Sequence, residues 1–254
     1  MSTTYLTTGE LSRTLGWSPR FIDGLVRTNK IPTRLVDGEA RFAREALVEW
    51  LEDKLRTLDH DGVVALDNQI SPPAAEEADT DPITLQITRQ GILWGASASG
   101  PDGVLDILAD LAQTTGAVTD AGVLRQSLAE RERLCSTALP GGVALCHPRQ
   151  PLPEIIWKPF VRVVCLADPV PFGAEDALPT RLFFLLGSST DSGHLKSLSR
   201  LARILDDTTK SALLRAPSAD AAHQIISSRE VLIHRRRQAL LARHESGNTS
   251  GDGI

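Results

Sequence analysis

The sequence predicts a chain of two folded units: a small, mainly α-helical unit of helix-turn-helix plan, then a larger α/β domain. Three observations carry this. Residues 71–82 differ in composition from both flanks, with Pro72-Pro73 and the acids Glu76, Glu77, Asp79 and Asp81 and little to bury, the pattern of a flexible acidic linker. Before it, apolar residues recur at helical spacing between cap and turn signals; after it, helical spacing alternates with short continuous apolar runs. The 254 residues suffice for two modest cores. The expected division is 1–59 for the first unit, 60–82 for the linker, 83–230 for the second unit, and 231–254 for a basic helix with a disordered tail.

In the first unit, Thr7-Thr8-Gly9-Glu10 marks a helix start, Leu11 and Leu15 share one face, and Gly16 ends the helix. Ser18-Pro19 caps a second helix in which Ile22, Leu25 and Val26 recur beside Phe21. Helix, glycine turn and capped helix make a helix-turn-helix. Beyond Pro32, residues 34–42 read as two short strands around an Asp37-Gly38 hairpin turn, and a third helix carries Leu47, Trp50 and Leu51. Leu51, Leu55 and Leu58 extend that spacing and suit a homodimer. Arg20 and Arg27 lie about two turns apart on the second helix, with Lys30, Arg34 and Arg41 on its flank and in the hairpin. Such a cluster neutralises phosphates and presents an arginine to a guanine edge. Asp23 on the same helix keeps open a competing reading, protein contact.

In the second unit, Val104, Leu105, Leu108, Leu111 and Ala112 form a helix face, 161–166 and 182–186 are runs suited to buried strands, and Leu195, Leu198, Ala202 and Leu205 mark another amphipathic helix. The basic run from His234-Arg235-Arg236-Arg237 to Arg243 reads as a solvated helix or subunit contact, and the Gly/Ser-rich tail from about Glu245 as disordered. His60, His223, His234 and His244 read as ordinary surface or interface histidines.

Composition excludes several classes. The net charge of −5 gives no global attraction to nucleic acid or an anionic membrane, so DNA contact has to come from a local patch. No apolar run approaches the roughly 20 residues of a spanning helix, and the N-terminus lacks a basic-then-apolar signal; no membrane insertion and a cytoplasmic location are expected. Cys135, Cys146 and Cys165 cannot pair completely and lack Cys-x-x-Cys spacing, which fits a reducing compartment. A metal or redox site at Cys146, His147 and Cys135 is the competing reading, but zinc-module spacing is missing, so neither metal nor cofactor is expected.

Residues 5 to about 51 resemble the excisionase-like and MerR-like winged helix-turn-helix modules, through Leu11, Leu15-Gly16, Ser18, Arg20, Leu25, Arg27, Ile31-Pro32, Gly38, Arg41 and Val48-Glu49-Trp50-Leu51. Pro19, Asp23 and Gly24 depart from an arginine, a tyrosine and an arginine frequent there, and Glu39-Ala40 from a basic-aromatic pair. The resemblance implies double-stranded DNA as partner, met by Ser18, Arg20, Arg27, Lys30, Arg34 and Arg41.

The stretch 130–147 resembles the phosphoacceptor loop of the enzyme IIA domains of the mannitol/fructose and nitrogen-regulatory class of the bacterial sugar phosphotransferase system. Arg131-Glu132, Ser136-Thr137 and Gly141-Gly142 precede His147 as in that loop. Asp168-Pro169-Val170-Pro171-Phe172-Gly173 and the helix from His194 to Ile204 extend the likeness over nearly the whole unit; Cys146 replaces a usual proline and Ala138 a usual glycine. The resemblance implies a mixed sheet flanked by helices, His147 as phosphoryl acceptor, His194 and Arg131 as stabilisers, Ser136 or Thr137 as hydroxyl donor, and an HPr-type phosphocarrier protein as partner. An imidazole near its ordinary pKa of about 6.5 has the lone pair such transfer needs. The Gly141-Gly142 turn is expected to bring backbone N–H groups to the phosphate.

The reading that joins the units is a transcriptional regulator that binds DNA and receives a phosphate signal. The alternatives are a relay subunit whose first unit is an adaptor, and a non-phosphorylatable sensor acting by protein contact. Phosphate on His147 is expected to draw its face toward the patch of Arg20, Arg27 and Arg34, competing with DNA.

Overall fold

Thr7 and Glu10 cap one another: Glu10 accepts from the Thr7 N–H at 2.8 Å and the Thr7 hydroxyl at 2.9 Å, while Thr7 Oγ accepts from the Glu10 N–H at 3.2 Å. This reciprocal box opens α1 (Thr8–Leu15) directly from β1 (Tyr5–Thr7). Ser18 Oγ accepts from the Phe21 N–H at 3.2 Å and starts α2 (Pro19–Arg27), which buries Ile22 and Leu25. Asp37 and Gly38 both have positive φ, 51° and 79°, as the two-residue turn between β2 (Arg34–Val36) and β3 (Glu39–Ala43) requires. The sheet order is β1-β3-β2, antiparallel throughout. Strand β1 has no counterpart in the sequence reading, because three residues are too few to carry a pattern. Helix α3 (Arg44–Thr57) follows β3 without a break.

These elements belong to a computed structural model that describes residues 5–15, 17–57 and 82–248. Gly16, Leu58, His60, all of the expected linker but Pro82, and the tail beyond 248 lie outside the described residues, as do the side chains of Leu51, Leu55 and His244.

The second unit begins with a short helix α4 (Ile83–Gln86) and continues through β4 (Ile92–Ala96), α5 (Pro101–Thr114), α6 (Ala121–Leu134), β5 (Ala138–Leu139), β6 (Val143–Cys146), β7 (Phe160–Val170), β8 (Thr180–Gly187), α7 (Asp191–Ile204), α8 (Asp207–Leu214) and α9 (Ala219–Asn248). The sheet order is β4-β7-β8-β6-β5. It is mixed: β4 and β7 are parallel, as are β6 and β8, while β7 and β8, and β5 and β6, are antiparallel.

Period-two alternation sorts the side chains onto two faces. Val143, Leu145, Val161, Val163, Leu182 and Phe184 join the apolar cluster that holds Leu198 and Leu201 of α7, and Ala144, Cys146, Val164, Phe183 and Leu185 join the one that holds Val104, Leu108 and Leu124 of α5 and α6. With both faces covered, the strands read as unbroken apolar runs. Gly187 lets Phe160 lie across the end of β8, since a Cβ there would stand 2.3 Å from the ring.

The expected division leaves out two features. Helix α9 begins at Ala219, crosses the expected boundary at 230 and runs to Asn248. Glu230 itself accepts from the backbone N–H groups of Ile83 at 2.6 Å and Thr84 at 3.1 Å, so this helix is tied into the second unit. Nor do the units keep separate cores: Leu6, Leu11 and Leu47 share one apolar cluster with Leu198 and Leu201, and α1 and α3 pack against α7. Among the described residues, no helix is long and apolar enough to cross a membrane.

Candidate functional site

Parallel pairing of β6 with β8 brings both C-terminal ends to the same edge of the sheet, with Cys146 opposite Leu185. Such an edge is where α/β sheets place ligands. His147 follows Cys146 directly, and the alternation that sends Val143 and Leu145 toward α7 sends His147 the same way. From the end of β8, Ser188 and Thr190 turn the chain into α7: Ser188 Oγ accepts from the Thr190 N–H at 3.1 Å, and Thr190 Oγ caps the helix through the Gly193 N–H at 3.1 Å. Gly193 has to be glycine for this turn, because a Cβ would lie 2.5 Å from Ser188 Oγ. His194 therefore sits in the first turn of α7, where the helix favours an anion.

The two rings meet. His147 and His194 have centroids 4.8 Å apart with an interplanar angle of 48°. They are 1% and 7% exposed. His147 Nδ1 lies 2.9 Å from the Pro148 carbonyl oxygen, which only accepts. The proton thus belongs on Nδ1, and the lone pair is at Nε2.

Behind His147 a polar chain fixes the loop. Thr137 donates its N–H to both Glu132 carboxylate oxygens, at 3.0 and 3.1 Å, and its hydroxyl to Glu132 at 2.6 Å. The Thr137 hydroxyl is also 3.5 Å from Cys146 Sγ, and its carbonyl accepts from the Leu145 N–H at 3.0 Å. Arg131, buried at the end of α6, donates to the Cys135 carbonyl at 2.6 Å. Ser136 Oγ donates to the Phe172 carbonyl, and Gly173, with φ 83°, leaves room for Ser136, to which a Cβ would come within 3.1 Å. So Ser136 anchors the 168–173 turn, and Thr137 is held by Glu132, a residue to which the sequence reading gave no role. Its signal was the carboxylate five residues before Thr137, across a helix end.

The Gly141-Gly142 turn is not part of this site. It lies at the opposite end of β6, about 15 Å from His147 at the usual rise per residue, and its Gly141 N–H donates to Asp176 at 2.8 Å. Its positive φ values, 88° and 79°, serve the β5–β6 hairpin. Burial pushes the Cys146 thiol well above its ordinary range, which opposes the thiolate a metal needs. Among the described residues no group of three or more His, Cys, Asp or Glu side chains is placed to hold a metal ion.

In the first unit, Arg20, Asp23 and Arg27 form an exposed ridge of α2 opposite buried Ile22 and Leu25, with Lys30 and Arg34 also exposed. Ser18 is engaged as the cap of α2, Arg34 donates to the Tyr5 hydroxyl at 3.1 Å, and half-buried Arg41 pairs with Glu39 at 2.8 Å. The meeting of the Arg20, Arg27 and Arg34 patch with the His147 face is expected of the phosphorylated protein; without phosphate, the start of α3 reaches the loops beside both histidines. Arg44 pairs with Asp191 at 2.5 Å, and Glu45 accepts from Gln150 at 3.4 Å and lies 4.0 Å from Arg149. No periodicity or motif announced this contact.

Residues 86–229 match the family described as phosphoenolpyruvate-dependent sugar phosphotransferase system, EIIA 2. The nitrogen regulatory protein of Bradyrhizobium diazoefficiens is 35% identical over 143 residues, 55% of this chain and 90% of that protein. The fructose-specific EIIA component of Haloferax volcanii is 28% identical over 129 residues, 50% of this chain and 82% of that protein. The crystal structure of the nitrogen regulatory protein IIA-Ntr from Neisseria meningitidis shares the fold, with a TM-score of 0.50 at 24% identity over 57% of this chain and 98% of that one.

Proposed function

Since the chain belongs to the EIIA 2 family of the phosphoenolpyruvate-dependent sugar phosphotransferase system, we propose that it accepts a phosphoryl group on His147 from an HPr-type phosphocarrier protein. The observation that carries this reading is the pair of histidines 4.8 Å apart, one of them with its proton held on Nδ1 by Pro148. The Nε2 lone pair of His147 attacks phosphorus as the donor's P–N bond breaks, and that electron pair returns to the donor's ring nitrogen. The charge on the transferred group is met by positioned donors and dipoles rather than by covalent chemistry. His194 and the N-terminal turn of α7 take that part, with Arg131, Ser136 and Thr137 holding the loop.

The first unit is a winged helix-turn-helix in this proposal, and α2 reads double-stranded DNA. Exposure of Arg20, Arg27, Lys30 and Arg34 together favours DNA over an adaptor role. The whole chain is then a phosphotransferase-linked transcriptional regulator of the cytoplasm.

Incubation with phosphoenolpyruvate, enzyme I and HPr-type donors, followed by intact mass, tests the first part. The wild type should gain one acid-labile, base-stable phosphate, and His147→Ala none. His194→Ala should accept phosphate but hand it on poorly. Undiminished phosphate on His147→Ala, or none on the wild type from any donor, would sink the acceptor reading and leave the sensor that acts by contact alone.

A further inference from the structure

Transfer between two proteins requires the donor's nitrogen, phosphorus and the acceptor nitrogen in line, with reacting atoms within about 3–3.5 Å before attack. A donor protein has to touch the edge of the acceptor ring. His147, 1% exposed, and His194, 7% exposed, cannot be touched in this conformation.

Among the described residues, ion pairs and a hydrogen bond reach the loops around the site from the start of α3. Arg44 pairs with Asp191, three residues before His194, and Glu45 reaches Arg149 and Gln150, two and three residues after His147. One dipeptide at the start of α3 thus bridges both histidine loops. Behind it, α1 and α3 lie against α7, the helix that carries His194, and share its apolar cluster.

We propose that the first unit is an autoinhibitory cap, clasped over the acceptor site by Arg44 and Glu45, and that phosphoryl transfer requires it to swing away. The proposal rests on the acceptor reading of His147. It assigns the unit a second task at a surface other than its α2 ridge. The ion pairs of the clasp are individually weak: both are partly exposed, each supports roughly a two- to fivefold population difference, and the apolar cluster shared with α7 carries the rest of the closed state. The donor then selects the open state, and its apparent affinity is reduced by the fraction of chains that are open.

The test uses the full chain and two readouts. Brief diethyl pyrocarbonate treatment near neutral pH, read by peptide mass, should modify exposed His234 and spare His147 and His194 in the wild type. In the double variant Arg44→Glu, Glu45→Arg, like charges face Asp191 and Arg149. Modification of His147 and the initial rate of phosphate gain from an HPr-type donor should both rise several-fold. Pairing Arg44→Glu with Asp191→Arg restores the first ion pair in reverse and should restore protection. Equal protection and equal rates in wild type and reversed variant would overturn the cap, as would a rise that the restored pair fails to reverse. Faster modification of His147 with no phosphate gained by either protein would uphold the cap and overturn the acceptor reading.

Discussion

At His147, a carbonyl that can only accept places the proton on Nδ1, so the nitrogen that the proposed transfer uses carries its lone pair before any partner arrives. The neighbouring residue shows how a departure from a family pattern is absorbed. Cys146 replaces a proline that would fix the backbone entering the histidine; here strand pairing with Leu185 and a buried side chain against α5 and α6 do so. Burial pushes its thiol up, which favours the neutral form, and Cys165 is raised for the same reason. For both, the neutral thiol is favoured on folding. Their contribution to stability is present below the unfolded thiol pKa and declines as pH rises past it. A thiol alkylating agent at neutral pH should therefore label exposed Cys135 readily and reach Cys146 and Cys165 only on unfolding. Labelling of native Cys146 at the rate of Cys135 would show that the strand end is open. The sequence placed Cys146 and Cys135 near His147 but could not say which was sealed, since burial is a property of the opposing helices.

Elements were legible where their pattern is local. The caps at Thr7 and Ser18, the Asp37-Gly38 turn, the faces of α5 and α7 and the paired core strands follow from spacing and turn chemistry over a few residues. The misplaced element was the Gly141-Gly142 turn. Five residues look short in a sequence, but extended as a strand they span the sheet, so the glycines bend a hairpin at one end while His147 lies at the other. On α2 the alternation of faces leaves Arg20, Asp23 and Arg27 outward, which makes the helix testable by itself. DNA affinity of the full chain for a genomic fragment library should fall steeply with salt. Arg20→Glu or Arg27→Glu should weaken it and lower the salt slope by about one for each phosphate no longer neutralised. Arg41→Glu should matter less, because Arg41 already pairs with Glu39. Binding that ignores salt would assign α2 to a protein partner.

For the whole molecule, the polar stretch at 71–82 argued for two folded units joined by a flexible linker. Yet Leu6, Leu11 and Leu47 share a cluster with α7. A helix face shows in sequence that it is buried, not against what, so docking between units was invisible. The consequence reaches the switch. Arg20, Asp23 and Arg27 of α2 are exposed while α1 and α3 pack against α7, so in the proposed switch phosphate on His147 does not work through that ridge. It acts on the clasp. A phosphoryl group adds up to about two negative charges between loops whose outer ends carry Asp191 and Gln150, the latter bonded to Glu45, and it needs volume in a site that has almost no opening. Both effects push the cap outward, and a two-state contact between rigid units is what such a push can bias. Phosphorylated full-length protein should therefore exchange amide hydrogens faster in α1, α3 and the first turns of α7, while α5 and α6, on the far side of the sheet, keep the protection they have without phosphate. Exchange that changes only in the loops around His147, with α1 and α3 unaltered, would mean that the charge is absorbed locally and that the first unit stays seated through the phosphorylation cycle.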